Sequence, residues 1–269
     1  MALAVCATPI GNLEDVTLRV LRELAEADVV LCEDTRHTSV LLERHGIRAR
    51  LLSYHRHNEA ARVAELVPRL ETGERIALVS DAGLPGINDP GARLIEAALE
   101  AGLPVTVLPG PSAVETALVA SGLAGERYLF VGYLPRGEKG LTALWKELEA
   151  CAHPVVAFES PQRLPATLKS LAAALPTRHV AVCRELTKRF EEVARGTAAE
   201  LLDRFSEPPK GEITLVVGGG VVEADETAAL GAVRELVGAG VPRRQAAEVV
   251  ARLLSLSRNT LYRESLQSD

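Results

Sequence analysis

Short apolar runs alternate with longer amphipathic segments through the first 120 residues. The apolar runs predict strands at residues 3–7, 29–32, 50–53, 76–80 and 105–108. The segments between and after them predict helices at residues 16–27, 38–45, 58–70, 92–101 and 112–120. Strands that alternate with helices build a parallel sheet, and strands that are apolar along their whole length are buried on both faces. Residues 1–122 are therefore predicted to form a doubly wound α/β domain with a parallel sheet.

The alternation changes after the sequence SGLAG at residues 121–125. Further strands are predicted at residues 128–133, 154–159, 179–185, 191–194 and 212–217, and helices at 140–150, 161–174 and 198–205. A short polar turn joins the third and fourth of these strands, which favours an antiparallel hairpin and hence a mixed sheet. Residues 123–221 are therefore predicted to form a second α/β domain.

From residue 225 the chain is predicted to be all helical, so that residues 222–269 form a helical tail. The sequence VPRRQAAEVVARLLSLSRNTLYRESL fits a helix, a tight turn at Leu256-Ser257 and a second helix that carries arginines. This pattern resembles a helix-turn-helix. A plain helical tail that packs on the body fits it equally well, and both interpretations stay open here.

Two basic segments stand out in a chain whose net charge is −6. Residues 36–69 contain seven arginines and four histidines against three glutamates, and residues 242–263 contain five arginines against one glutamate. Arginines clustered in an otherwise acidic chain predict contact with an anion such as a nucleic-acid backbone.

Several classes of protein are not expected. No apolar stretch approaches the roughly 20 residues that a membrane span needs, and the first residues lack the basic segment of a signal peptide. The four cysteines, Cys6, Cys32, Cys151 and Cys183, have no metal-ligand spacing. They predict buried thiols in a reducing cytoplasm and no metal site.

The loops after the strands of the first domain depart from ordinary short turns. They carry the sequences ATPIGNLED, CEDTRHT, SDAGLPGINDPG and LPGPSA. Ligands of parallel sheets bind beyond the carboxyl ends of the strands. Because Gly and Pro let a rigid backbone approach a ligand closely, these loops predict the walls of a cofactor site, with Asp81 as an acceptor.

The sequence lacks two motifs that bind phosphate-containing cofactors. The first loop has one glycine rather than the G-x-G-x-x-G of dinucleotide sites, and no GxxxxGK[ST] loop is present in the sequence. The sequence therefore favours a cofactor without phosphates that is held by several loops and by carboxylates.

Six motifs occur in a fixed order along the chain: TPIGNLEDVTLRVL, EDTRHT, SDAGLPGINDPG, LPGPSA, FESPQRL and CRELTKRFEE. In these motifs the chain resembles the ribosomal RNA small-subunit methyltransferase I family, the bacterial 2′-O-methyltransferases of 16S rRNA. That family belongs to the tetrapyrrole-methylase-like class of S-adenosylmethionine enzymes. The resemblance implies S-adenosylmethionine in a cleft between two α/β domains, a homodimer, and a cytidine of the decoding region as substrate. Leu84 departs from the pattern, because the family usually has Thr there.

The resemblance also implies site residues. It places the cofactor against Pro9, Gly11, Asp81, Ala82, Gly83, Pro85, Ile87, Pro109, Gly110, Ser112, Phe158, Glu212 and Thr214. With the basic segments it places RNA against Arg36, Arg56, Arg243, Arg244 and Arg258.

A 2′-hydroxyl is a poor nucleophile near neutral pH, so a base should accept its proton. Candidates at the strand ends are Glu33, Asp34 and His55, and Arg36 is suited to a phosphate because its planar fork binds oxyanions bidentately. One of the two carboxylates is expected to cap the following helix instead, and the sequence does not distinguish them. Tyr54 and Tyr133 are the expected platforms for stacked bases.

Two other functions compete with RNA methylation. A methyltransferase that acts on an anionic, tetrapyrrole-like small molecule would also use arginines. A non-catalytic RNA- or nucleotide-binding protein would need the basic segments but not the shaped loops.

Overall fold

The computed structural model describes residues 2–220, 226–254 and 256–266. The chain forms two compact units: Met1–Glu149 with His153–Gly219, and Ala150–Ala152 with Gly220–Asp269. Both sheets lie in the first unit. The boundary that the sequence predicts between residues 221 and 222 lies outside the described residues, and the boundary at 122 stays a prediction.

The first sheet has five parallel strands in the order β3-β2-β4-β1-β5. Its strands are β1 (Leu3–Cys6), β2 (Val29–Cys32), β3 (Leu51–Ser53), β4 (Ile76–Leu78) and β5 (Val105–Leu108). The helices that follow them are α1 (Leu18–Glu26), α2 (Thr35–Arg44), α3 (Glu59–Glu71), α4 (Ala92–Glu100) and α5 (Ala113–Ser121). The predicted parallel sheet is confirmed, and α2 begins three residues before its predicted start at 38.

The sheet is covered on both faces because alternate residues of its strands face opposite sides. In β1, Leu3 and Val5 are buried in the core that α3 and α4 cover, whereas Ala4 and Cys6 are buried in the core that α1 and α2 cover. Burial of each large apolar side chain stabilises the fold by about 1.5–3 kcal/mol. Strands this apolar therefore fold only between two helical layers.

The second sheet is mixed, in the order β6-β7-β10-β8-β9, with β6 and β7 parallel and the other pairs antiparallel. Its strands are β6 (Leu129–Tyr133), β7 (Val155–Glu159), β8 (His179–Arg184), β9 (Glu192–Thr197) and β10 (Ile213–Val217). Its helices are α6 (Glu138–Leu148), α7 (Leu164–Ala174) and α8 (Ala198–Arg204). The predicted hairpin and mixed sheet are confirmed.

Helix α5 links the two sheets of the first unit. It follows β5 of the first sheet in the chain, but Val114, Ala117 and Leu118 pack in a core with Val156 and Val216 of the second sheet. The loop that precedes α5 therefore lies where the two sheets meet.

The second unit is helical in its described residues. It contains α9 (Glu226–Gly238), α10 (Arg243–Leu254) and α11 (Arg258–Leu266), whose core includes Val233, Ala247 and Leu261. The predicted helical tail is confirmed. Among the described residues, no helix combines the length and the apolar character needed to cross a bilayer.

Candidate functional site

The loops after β1 and β4 are joined by backbone hydrogen bonds at the centre of the first sheet. The Thr8 amide donates to the Gly83 carbonyl at 2.8 Å, and the Gly83 amide donates to the Thr8 carbonyl at 3.1 Å. The Thr8 hydroxyl also donates to the Ser80 carbonyl at 3.0 Å. Gly83 has φ of +79°, a left-handed conformation that strongly favours glycine. These bonds give the loop at 80–91 a fixed shape beside the first loop.

A cleft of ≈ 750 Å³ opens beyond the carboxyl ends of the first sheet's strands. Ten residues predicted to bind a cofactor line it: Asp81, Ala82, Gly83, Ile87, Pro109, Gly110, Ser112, Phe158, Glu212 and Thr214. Loops of both sheets therefore contribute to one cavity. Its other lining residues include Ile10, Leu84, Asn88, Asp89, Tyr133, Cys183, Leu186 and Gly211.

Three predicted residues, Pro9, Gly11 and Pro85, do not line the cleft. Pro9 and Pro85 are buried, so they support the loops from within. Gly11 instead faces the turn between β8 and β9, where a Cβ on Gly11 would lie 2.5 Å from Cγ of Lys188. Glycine is needed there for a close approach to that turn rather than to a ligand.

The cleft is acidic. The described residues that line it include Glu33, Asp81, Asp89, Glu115, Glu159 and Glu212 but no lysine, arginine or histidine. Burial, together with the nearby charges of Glu33 and Asp81, raises the pKa of Asp89 to about 6. A cavity of this kind attracts a cation and disfavours a phosphate group.

Glu159 is anchored within the fold rather than available to a ligand. Its carboxylate accepts hydrogen bonds from the Thr167 hydroxyl at 2.5 Å and the Ser160 amide at 2.6 Å, and it forms an ion pair with Arg163. The Glu159 side chain is fully buried, so breaking this pairing would leave a costly isolated charge. The network fixes the 158–161 wall of the cleft.

A second, more open cavity of ≈ 540 Å³ adjoins the cleft, and we call it the outer depression. Its lining residues are Glu33, Asp34, Thr35, Arg36, Ser53, His55, His57 and Asp81. All four predicted catalytic residues are among them. Glu33 and Asp81 line both cavities, so the acidic cleft and the outer depression meet at these two carboxylates.

The structure shows which of the two adjacent carboxylates caps helix α2. The Asp34 side chain accepts from the Arg36 amide at 2.8 Å, and the Arg36 guanidinium donates to both Asp34 oxygens. Hydrogen bonds from Arg36 lower the pKa of Asp34 to about 2. Of this adjacent pair, Glu33 is therefore the carboxylate without a capping role, and like Asp81 it lines both cavities.

The basic side chains that line the outer depression are Arg36, His55 and His57, whereas Arg56 lies outside its lining. His55 has a buried Nδ1 without a hydrogen-bond partner among the described residues. The Arg56 guanidinium donates to the Asn88 carbonyl at 2.5 Å, which ties the loop after β3 to the loop after β4.

The expectation that Tyr54 is a stacking platform is wrong. Tyr54 is buried, and its hydroxyl donates to Glu59 at 3.1 Å. Tyr133 is 64% exposed and packs against Phe158 with ring centroids 5.4 Å apart. Of the two predicted platforms, only Tyr133 presents an open ring.

The predicted RNA contacts of the tail lie in the second compact unit. Arg244 and Arg258 are exposed, whereas the Arg243 guanidinium donates to the Ser265 carbonyl in α11. Arg243 therefore joins α10 to α11 as well as contributing positive charge.

A family profile described as Tetrapyrrole (Corrin/Porphyrin) Methylases matches residues 2–202. Ribosomal RNA small subunit methyltransferase I of Mesorhizobium japonicum is 44% identical, over 99% of this chain and 92% of that protein. The protein of the same name from Thermotoga maritima is also 44% identical, over 81% of this chain and 98% of its own, and that of Escherichia coli O157:H7 is 41% identical, over 98% and 94%.

Solved structures with a similar fold are more distant in sequence. Uroporphyrin-III-C-methyltransferase from Thermus thermophilus has a TM-score of 0.55 at 24% identity, covering 80% of this chain and 93% of that one. Cobalt precorrin-4 methyltransferase has a TM-score of 0.59 at 20% identity, covering 80% and 94%. Diphthine synthase has a TM-score of 0.60 at 15% identity, covering 80% and 89%. These likenesses concern the fold alone.

Proposed function

The chain belongs to the ribosomal RNA small subunit methyltransferase I family within the tetrapyrrole (corrin/porphyrin) methylases, and from this we propose that it methylates 16S rRNA with S-adenosylmethionine as methyl donor. The acceptor proposed is the ribose 2′-oxygen of a cytidine in the decoding region. The observation that carries this assignment is that the acidic cleft and the outer depression share Glu33 and Asp81.

The acidic cleft is the proposed cofactor site. When bound there, S-adenosylmethionine supplies an activated methyl group on a positively charged sulfur. Asp81 and Asp89 provide negative charge for a cation, and apolar residues such as Ile10 and Leu84 provide a wall for the uncharged parts. The lack of a basic side chain among the described lining residues suits a cofactor without phosphates.

The outer depression is the proposed site of the acceptor ribose. Methyl transfer requires the acceptor oxygen, the methyl carbon and the leaving sulfur to lie in line. A ribose in the outer depression and a cofactor in the acidic cleft would meet at Glu33 and Asp81, where the two cavities join. The position of these carboxylates thus supports a reaction at the junction.

Glu33 is the proposed proton acceptor. Asp34 is occupied as a helix cap and as the partner of Arg36, and Asp81 accepts a hydrogen bond from the Asp34 amide at 3.1 Å. In the described structure Glu33 neither caps a helix nor pairs with an arginine, and it lines both cavities. A base must lie within hydrogen-bond reach of the proton that it removes.

Arg36 is proposed to bind a phosphate beside the reacting ribose. Its side chain is 89% exposed, and Asp34 holds the guanidinium through two hydrogen bonds. A planar guanidinium with free N–H groups binds a phosphate bidentately. Asp34 acts here as a positioning residue.

A small-molecule substrate is the weaker alternative. The two tetrapyrrole methyltransferases of similar fold are 24% and 20% identical to this chain, whereas the rRNA methyltransferases are 41–44% identical over most of it. The outer depression is also open, with basic side chains at its edge, which suits a polymer backbone. A purely binding role disagrees with membership of a methyltransferase family.

The test is the methylation of small ribosomal subunits from a strain that lacks this enzyme. The purified chain is incubated with subunits and S-adenosylmethionine, and the nucleosides of 16S rRNA are analysed by mass spectrometry. We expect one new 2′-O-methylcytidine with the natural chain and almost none with Glu33→Gln. A methyl group on a base, or none on 16S rRNA, would contradict the proposal.

A further inference from the structure

The turn between β8 and β9, residues 185–191 with the sequence ELTKRFE, has an unusual backbone. Glu185 has φ of +52° and Thr187 has φ of +65°. A left-handed conformation is unfavourable for residues other than glycine, and more so for a β-branched residue such as Thr187. Strained backbone persists only where the surroundings impose it, and it concentrates at functional sites.

Hydrogen bonds hold Thr187 in this conformation. Its hydroxyl accepts from the Asn12 amide at 3.0 Å, and its own amide donates to the Glu191 carboxylate at 2.6 Å. The turn is therefore tied both to itself and to the loop after β1.

Ion pairs and two glycines hold the rest of the turn. Lys188 lies 2.9 Å from the Glu185 carboxylate and 2.8 Å from that of Glu212. A Cβ on Gly211 would lie 2.4 Å from Glu185 atoms, and one on Gly11 would lie 2.7 Å from the Thr187 hydroxyl. The charge of Lys188 is thus satisfied within the protein.

The imposed conformation separates the side chains of the turn. Leu186 is buried and lines the acidic cleft, whereas Phe190 is 65% exposed. The Arg189 guanidinium lies 5.6 Å from the centre of the Phe190 ring. The turn therefore presents an open aromatic ring with a guanidinium beside it, within a few residues of the cofactor wall.

We propose that Phe190, with Arg189, stacks on an unpaired base of the RNA substrate. Proteins bind single-stranded RNA by stacking its bases on aromatic rings and guanidinium planes. This inference rests on the proposed RNA substrate. The turn carries two acids and two bases over residues 185–191, so stacking rather than charge provides its contribution.

The test compares Phe190→Ala, Phe190→Leu and Phe190→Trp with the natural full-length chain. Affinity is measured with unmethylated small subunits and with a short single-stranded oligocytidine that contains one 2-aminopurine, whose fluorescence falls on stacking. We expect both Ala and Leu to weaken binding by roughly 5- to 150-fold, since one stacked base contributes on that scale. Trp should retain binding, and the salt dependence should not change.

Leu99→Ala, at a 59% exposed position of α4, is the matched control and should bind as the natural chain does. Cofactor affinity, measured by calorimetry, should be equal in all variants, which shows that the cleft is intact. Natural binding by Phe190→Leu would overturn the inference, because apolar contact would then suffice. So would a Phe190→Ala chain that changes only its oligomeric state. If the natural chain fails to methylate 16S rRNA, it is instead the proposed function that fails.

Discussion

Asp89→Asn should remove one pH-dependent contribution to the stability of the α/β unit. Burial and the neighbouring carboxylates Glu33 and Asp81 raise the Asp89 pKa from 3.8 to about 6, against a smaller opposite effect of Arg56. A pKa shift of this size means that folding favours the protonated over the ionised carboxyl by roughly 3 kcal/mol. Asp89 is partly exposed, and solvent screening reduces the expected effect to about 2 kcal/mol.

The direction in which stability changes with pH follows from the raised pKa of Asp89. The folded protein favours the protonated carboxyl, so this contribution to stability is complete below the unfolded pKa of about 3.8. It is lost as the pH rises through the folded value of about 6. The Asn variant does not titrate there. Its free energy of unfolding should therefore rise relative to that of the natural chain by about 2 kcal/mol between about pH 4 and pH 7.

Urea unfolding followed by the fluorescence of Trp145 measures this difference. Trp145 is the single tryptophan of the chain and is buried in the first unit. Leu99→Ala, at an exposed position of α4, changes no ionisable group; it is the control and should give a difference that does not vary with pH. A constant difference between the Asp89→Asn and natural chains across this range would show that the Asp89 pKa is not raised by folding, as would a difference of opposite sign.

Four further variants test the cofactor site, the phosphate contact and the helical tail. Gly83→Ala should lower the free energy of unfolding by about 1–2 kcal/mol, since a Cβ at Gly83 has room but the backbone φ there is unfavourable for alanine. Calorimetry should also show weaker binding of S-adenosylmethionine to this variant. Unchanged affinity in the folded variant would contradict the placement of the cofactor. Arg36→Ala should slow methylation of small subunits by about 10- to 100-fold while leaving cofactor affinity nearly unchanged, because a charge-assisted hydrogen bond to phosphate is lost. Arg243→Ala with Arg244→Ala should weaken RNA binding similarly for all sequences and lower the salt slope by about 2. If a chain that ends at Val222 methylates as well as the full chain, the tail only packs.

The fold could be predicted from the sequence where a single local pattern determines the architecture. Strands such as β1, apolar at every position, need two covered faces, and this predicted the parallel sheet correctly. The packing of α5 on the second sheet could not be predicted, because the chain order places α5 with the first. Which side of a helix meets which sheet is a tertiary property that the local pattern does not contain.

The candidate site could be predicted only where a local sequence pattern indicates it. The rigid loops after β1, β4 and β5 predicted a cavity. Leu186 lies in the turn between β8 and β9, which contains neither Gly nor Pro, and Gly211 lies in the loop between α8 and β10, outside the first sheet. Asp89 lay within the stretch SDAGLPGINDPG, yet its burial became visible only in the structure. Tyr54 was expected at the surface and is buried, because the residue after β3 faces the core beside Glu59.

The choice between Glu33 and Asp34 also needed coordinates. Both are acids before a helix, and either could accept from its first amides. The backbone of Asp34 is extended, with φ of −114° and ψ of 113°, and this directs its oxygen to the Arg36 amide. A difference of one residue in the cap therefore decides which carboxylate is left at the junction of the two cavities.

A crystal structure of the chain with S-adenosylhomocysteine would show directly where the cofactor binds. We expect the ligand in the acidic cleft, against residues 81–87 and 109–112, with its sulfur directed to the junction that Glu33 and Asp81 form with the outer depression. A ligand bound elsewhere, or one in the cleft with its sulfur directed away from Glu33, would contradict the proposed cofactor site.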